Sequence, residues 1–207
     1  DLQDEISETD QHQRDRSSRF DADLDMNLKD GNYDRVQSML KEALKRDRTN
    51  PARIGQLYQL LTARNDAEEL YRYHPRIMAW LAQRHDGDGL NQLLQTLQMV
   101  EPKFQLDDPE LAVQCAGTLY HRGHHKAAIR LLQDFHKRFP DSEQLAPAYL
   151  IVAQALANGL QQWEKASAFL SFIKKRCVNH PAHEHIDVWL EQAANQQPLK
   201  GPKASFQ

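Results

Sequence analysis

Apolar side chains return every three or four residues through most of this chain, the spacing that gathers them on one face of an α-helix. Phe20, Leu24 and Leu28 make the first stripe, and Tyr33, Val36, Leu40, Ala43 and Leu44 make the second. Asp30-Gly31-Asn32 between them reads as a turn, because glycine accepts a positive φ without steric cost. Asn50-Pro51 then supplies a cap and a first-turn proline for a helix bearing Ile54, Leu57 and Leu61. Ala67, Leu70 and Tyr71 mark a short partner helix, and Pro75 is expected to open another with Ile77, Trp80 and Leu81. Asp86-Gly87-Asp88-Gly89 turns into a stripe of Leu90, Leu93, Leu94, Leu97 and Val100.

The second half repeats the rhythm. Asp108-Pro109-Glu110 combines a cap, a first-turn proline and an acid favoured by the helix dipole. The helix it starts carries Ala112, Cys115, Ala116, Leu119 and Tyr120. After Gly123 a single partner helix is expected through Ala127, Ala128, Leu131, Leu132 and Phe135, stopping at Phe139-Pro140. Asp141-Ser142 is read as the cap of a helix with Leu145, Tyr149, Ala153 and Leu156 that reaches Gly159. Trp163, Ala166, Leu170, Ile173 and Cys177 line its partner, and Pro181 begins a last helix with Ile186, Trp189 and Leu190.

This pattern divides the chain into three. Residues 1–17, with only Leu2 and Ile6 as large apolar side chains, read as a polar linker or frayed helix; residues 18–195 form a helical repeat domain. Residues 196–207, polar and punctuated by Pro198, Gly201 and Pro202, read as a disordered tail. Turns at Gly31, near Asn65, and at Gly87, Gly123 and Gly159 are mostly 34 to 36 residues apart, with a shorter step into Gly87. Such a period signals stacked helix pairs, none able to bury its apolar face alone. The expected fold is all-α, about five stacked antiparallel hairpins with a C-terminal capping helix.

Ala112 to Pro140 resembles the tetratricopeptide repeat family. Ala116 stands at the small position of the first helix, Gly123 in the turn, Ala128 at the small position of the second helix, and Pro140 at the end. Gly31 to Leu44 and Gln162 to Ile173 resemble further second-helix halves, although Val36 replaces the small residue. The resemblance implies a right-handed solenoid whose first helices line a concave, partner-binding face. That projection places Gly55, Gln59, Thr62, Val113, Gly117, Tyr120 and His121 on the face. The Lys and Asn set with which some family members clamp a terminal carboxylate is missing there.

Composition narrows the chemistry. Hydrophobic residues make up 40% and charged residues 27%, and 26 Lys and Arg against 29 Asp and Glu leave a net charge of −3. That balance speaks against nonspecific nucleic-acid binding. No run approaches the roughly 20 apolar residues of a membrane helix. Because the chain starts at Asp1, it reads as an excised or processed piece from which a signal peptide or membrane anchor could have been removed; the soluble part of a membrane-attached or of a multidomain bacterial protein are the two expectations. Cys115 and Cys177 read as buried reduced thiols, which leans towards the cytoplasmic side while leaving a periplasmic placement open.

Candidate sites are few. No phosphate loop, nucleophile elbow or HExxH is present, so no catalytic residue, cofactor or metal ligand is assigned and the chain is expected not to be an enzyme. Ten histidines include His121, His124 and His125 around one turn and His180, His183 and His185 beside Cys177, but their spacing matches no zinc site. Cations at the ends of second helices (Lys45, Arg46, Arg48, Arg72, Lys137, Arg138, Lys174, Lys175 and Arg176) are explained by the helix dipole, with a basic rim as the alternative. The acidic start (Asp1, Asp4, Glu5, Glu8 and Asp10) is one candidate to cover such a rim. The function expected is a protein- or peptide-binding scaffold. A self-association module and a histidine-dependent metal protein are the alternatives.

Overall fold

The computed structural model describes residues 2–200, which are all-α with no strand among them. The chain forms two compact units, one through Asp66 and one from Ala67. The first contains α1 (Leu2–Lys29), α2 (Tyr33–Arg46) and α3 (Pro51–Ala63). The second contains α4 (Ala67–Gln83), α5 (Gly87–Val100), α6 (Pro109–His121), α7 (His125–Leu131), α8 (Phe135–Arg138), α9 (Leu145–Gln154) continued by a π turn (Ala155–Gly159), α10 (Trp163–Arg176) and α11 (His183–Ala194). Within each unit, helices pack mainly against their neighbours in sequence order.

One turn recurs along the chain. A left-handed residue follows each first helix, at Gly31, Asn65, His85, Gly123 and Gln161. The next N–H reaches back to a carbonyl five residues earlier: Asn32 to Asn27 at 2.8 Å, Asp66 to Leu61 at 3.0 Å, Asp86 to Leu81 at 2.9 Å, and His124 to Leu119 at 2.9 Å. These are Schellman caps, which satisfy the carbonyls a helix end would otherwise leave bare. Gln162 reaches Leu156 at 2.8 Å, one residue further, because of the π turn. Five residues beyond each left-handed position stands a buried side chain, at Val36, Leu70, Leu90, Ala128 and Ala166.

Two expected turn glycines play another part. The left-handed positions are His85 and Gln161, not Gly87 and Gly159. A Cβ on Gly87 would meet Arg122 Cγ at 2.5 Å, and one on Gly159 would meet the His125 ring at 2.2 Å. Both glycines permit close approach between helices. Gly31 and Gly123 have open space around them and are set by φ alone.

Neighbouring turns are clasped by acid–arginine pairs. In the first unit Arg64, the C-cap of α3, donates to Asp34 at 2.6 Å and Gln37 at 2.9 Å. In the second, Arg122, the C-cap of α6, donates to Asp88, while His124 Nε2 lies 2.7 Å from the other Asp88 oxygen. These hydrogen bonds hold the Asp88 carboxyl below the usual carboxylate range. Arg53 is nearly buried on α3, stacked 4.3 Å over Phe20 and bonded to Asp21 and Gln56, and so ties α3 to α1.

Four further expectations are corrected. Pro75 lies inside α4 instead of opening a helix. The Tyr71 carbonyl that it deprives of a partner lies 2.6 Å from His74 Nδ1, which donates to it. Burial then pushes the His74 pKa down. The helix after Gly123 is broken, because Asp134 is left-handed at φ 54°; the Leu131 and Gln133 carbonyls near the break accept from Arg138. Ser142 does not cap α9, whose N-cap is Gln144; its Oγ accepts from the Gln144 N–H at 3.1 Å. The 1–17 stretch read as a linker or frayed helix belongs to α1 from Leu2 onward.

Candidate functional site

The break at Asp134 opens a cleft between α7–α8 and α10, about 480 Å³ in volume. Leu132, Tyr149, Val152 and Leu156 form its buried floor, and Ile129, Leu160 and Phe169 its half-buried walls. Lys126, Arg130 and Lys165 stand exposed at the rim. Arg130 is turned towards α5, donating to Gln98 at 3.0 Å and to the Pro102 carbonyl at 3.3 Å. Asp134 is the lone carboxylate lining the cleft, and it is paired with Lys137 at 2.9 Å. An apolar trough with a cationic edge results.

One polar pair is built into the floor. The Tyr149 hydroxyl accepts the His136 backbone N–H at 3.1 Å and bonds to His136 Nδ1. Phe169 and Phe172 enclose the pair, with centroids 4.9 and 5.5 Å from the Tyr149 ring. Burial pushes the Tyr149 pKa up.

A second arrangement lies on α6, the π turn and α11. Asn158 Nδ2 donates to the Tyr120 hydroxyl at 3.1 Å and to the Leu199 carbonyl at 3.3 Å, and Asn158 Oδ1 accepts the Leu199 N–H at 2.7 Å. Gln192 repeats this one residue on: its Oε1 accepts the Lys200 N–H at 2.9 Å and its Nε2 donates to the Lys200 carbonyl at 3.1 Å. Leu199 itself is only 3% exposed, between exposed neighbours. The tail expected from residue 196 therefore begins with a bound segment. Gln196 at φ 53° ends α11 with one more Schellman cap, and residues 201–207 lie outside the described residues.

The residues projected onto a concave face divide. Tyr120 takes part in the Asn158 arrangement, Gln59 and His121 are exposed, and Gly117 has only the Ile151 methyl within 4 Å of where a Cβ would stand, at 3.8 Å. Gly55 and Val113 are buried, and Thr62 is half-buried with an inward hydroxyl that finds no partner. Buried groups cannot meet a partner. Gly55, Gln59 and Thr62 lie in the first unit and the other four in the second.

Much of the basic rim is engaged within the fold. Arg138 donates to the Leu106 carbonyl and stacks on Phe139, Lys174 pairs with Asp187, and Lys137 with Asp134. Arg176 reaches the Pro140 carbonyl at 3.4 Å, and Arg72 bonds Glu69. Lys45 and Arg46 pair with Glu42, while Arg48 and Lys175 are exposed. The acidic side chains proposed to cover the rim lie outside the described ones.

The histidines have local tasks. His180 Nδ1 accepts the Ala182 N–H at 3.1 Å, His183 Nε2 lies 3.3 Å from the Lys174 carbonyl, and His124 joins Asp88. His125 packs on Gly159 and Tyr120. Among the described residues no three metal-binding side chains converge. Both cysteines are free; Cys115 is buried, its pKa pushed up to about 12, and Cys177 is the half-buried C-cap of α10. No helix of the described residues is long and apolar enough to cross a membrane. No protein-family model matches the chain, and neither does any curated protein.

Arg53, Asn158 and Gln192 escape a reading of the sequence. Each is a polar residue on a helix, and its role is set by groups 32 to 41 positions away for Arg53 and Asn158 and 8 away for Gln192. The Pro-Leu pair in a polar tail is the one available hint.

Proposed function

We propose that the chain is a non-enzymatic scaffold, a right-handed tetratricopeptide-like solenoid that binds a segment of a partner protein in the cleft between α7–α8 and α10. The observation that carries this reading is the cleft itself: an apolar floor of Leu132, Val152 and Leu156 under an exposed edge of Lys126 and Lys165. Open apolar surface of this kind, bordered by charge of one sign, suits a partner with apolar anchors and acidic flanks. An amphipathic helix laid along the trough meets both requirements. The recurring Schellman turns and the buried residues five positions after them support the repeat assignment.

Peptide display against the whole chain tests the proposal. Selected sequences are expected to carry apolar residues at i and i+4 with Asp or Glu between them, and to lose binding to a Lys126→Glu/Lys165→Glu variant. Enrichment indifferent to that charge reversal would reject the cleft as the site. A dimer whose interface covers the cleft would favour self-association instead.

A further inference from the structure

We infer that Asn158 and Gln192 form a second, separate binding site, for an extended peptide of a partner protein carrying a leucine-sized side chain, and that the chain's own Pro198-Leu199-Lys200 occupies it. Two side-chain amides each pair with both the N–H and the C=O of one backbone residue, Leu199 for Asn158 and Lys200 for Gln192. Such pairing reads an extended main chain and is blind to sequence. The one side chain the site takes in is Leu199; Pro198 and Lys200 remain exposed.

The Asn158 half of the site is positioned by the rest of the fold. Asn158 stands on the π turn, where one extra residue per turn re-aims a side chain, a device that recurs at functional sites. Its amide is oriented by the Tyr120 hydroxyl, which takes one of the two Nδ2 protons and leaves the other proton and Oδ1 for the peptide. Gly159 lets the turn close on the His125 ring. Tyr120 is thus a positioning residue, and α6, the π turn and α11 each supply one group. The resident segment has no helix or strand of its own, and the short link Asn195–Gln197 tethers it to α11. A tethered ligand competes at high effective concentration, so an external peptide meets an intramolecular rival.

The test uses the whole chain and a fluorescent peptide of residues 195–200, NQQPLK, read by anisotropy. Leu199→Asp releases the resident segment, and this variant is expected to bind the peptide at least about tenfold more tightly than the natural chain. Adding Asn158→Ala or Gln192→Ala to Leu199→Asp is expected to weaken binding by about fivefold each, the scale of a lost hydrogen-bond pair. A peptide with Asp in place of leucine should not bind. Amide hydrogen exchange on the natural chain gives a readout that needs no variant: millimolar NQQPLK should remove protection from the Leu199 and Lys200 amides. A folded Leu199→Asp chain that binds no better than the natural one overturns the inference. So do Leu199 and Lys200 amides that stay protected under excess peptide, which would make the segment a fixed cap; that second result decides alone if Leu199→Asp does not fold.

Discussion

Leu156 and Asn158 stand two residues apart on one π turn and belong to surfaces of opposite character. Leu156 helps floor a trough whose chemistry is area and charge, with lysines at the edge. Asn158 belongs to a face whose chemistry is paired amides, with one enclosed leucine and no charge in the contacts that hold the segment. The comparison teaches what each surface can discriminate. A trough with a cationic edge selects side chains and acidity, whereas an amide pair accepts any extended main chain that brings a suitable apolar side chain. One stretch of helix presents both, because side chains two residues apart point to different faces.

The comparison can be broken most severely at its floor. Leu156→Ala should lower stability by about 3 kcal/mol, the usual scale for a buried leucine truncated in a packed core, with NQQPLK binding retained in the Leu199→Asp background. Denaturant midpoints and anisotropy together check this. Gly159→Ala should cost about 2 kcal/mol through overpacking against His125, and it should disturb the amide face more than the trough. Gly123→Ala makes a useful contrast, since its expected loss of about 1–2 kcal/mol comes from the left-handed φ with no neighbour in the way.

Smaller effects sharpen the difference. Tyr149→Phe leaves the His136 N–H without its acceptor and should cost about 1–2 kcal/mol. It should also change the alkaline limb of stability. The folded pKa of Tyr149 lies above its ordinary value of 10, so above pH 10 the unfolded chain loses its phenolic proton first and stability falls with rising pH. Tyr149→Phe should flatten that fall, as measured by chemical denaturation across the range. Asn158→Ala should change stability by about 1 kcal/mol, because the residue is exposed and its two bonds to Leu199 are only half-buried. Salt gives the finest separation: cleft ligands should weaken as ionic strength rises, while NQQPLK binding to Leu199→Asp should hardly respond.

Much of the fold is legible in the sequence because its signals are local. Asn50 does accept the Arg53 N–H, Asp108 accepts those of Glu110 and Leu111, and Pro51 and Pro109 open their helices. Where reading fails, a local signal has two physical causes. Glycine can mark a left-handed φ or a close approach, and Gly87 and Gly159 are of the second kind. Proline ends a helix unless the carbonyl it strands finds another donor, and His74 is that donor. Asp134 carries no sign that it will break a helix, yet that break makes the cleft. The amide face is invisible for a related reason: the repeat resemblance projects Tyr120 onto a concave face, and Asn158 and Leu199 meet only through 41 residues of folded chain.

The central claim, that the cleft takes an acidic amphipathic segment, is tested most directly by one affinity comparison. Peptides selected on the natural chain would be titrated against it, against Lys126→Glu/Lys165→Glu and against Asn158→Ala. The account predicts at least a tenfold loss for the charge reversal and a change within twofold for Asn158→Ala, on the order of the 1.4 kcal/mol that separates decades of affinity. Equal affinity for the natural chain and the charge-reversed variant would contradict it.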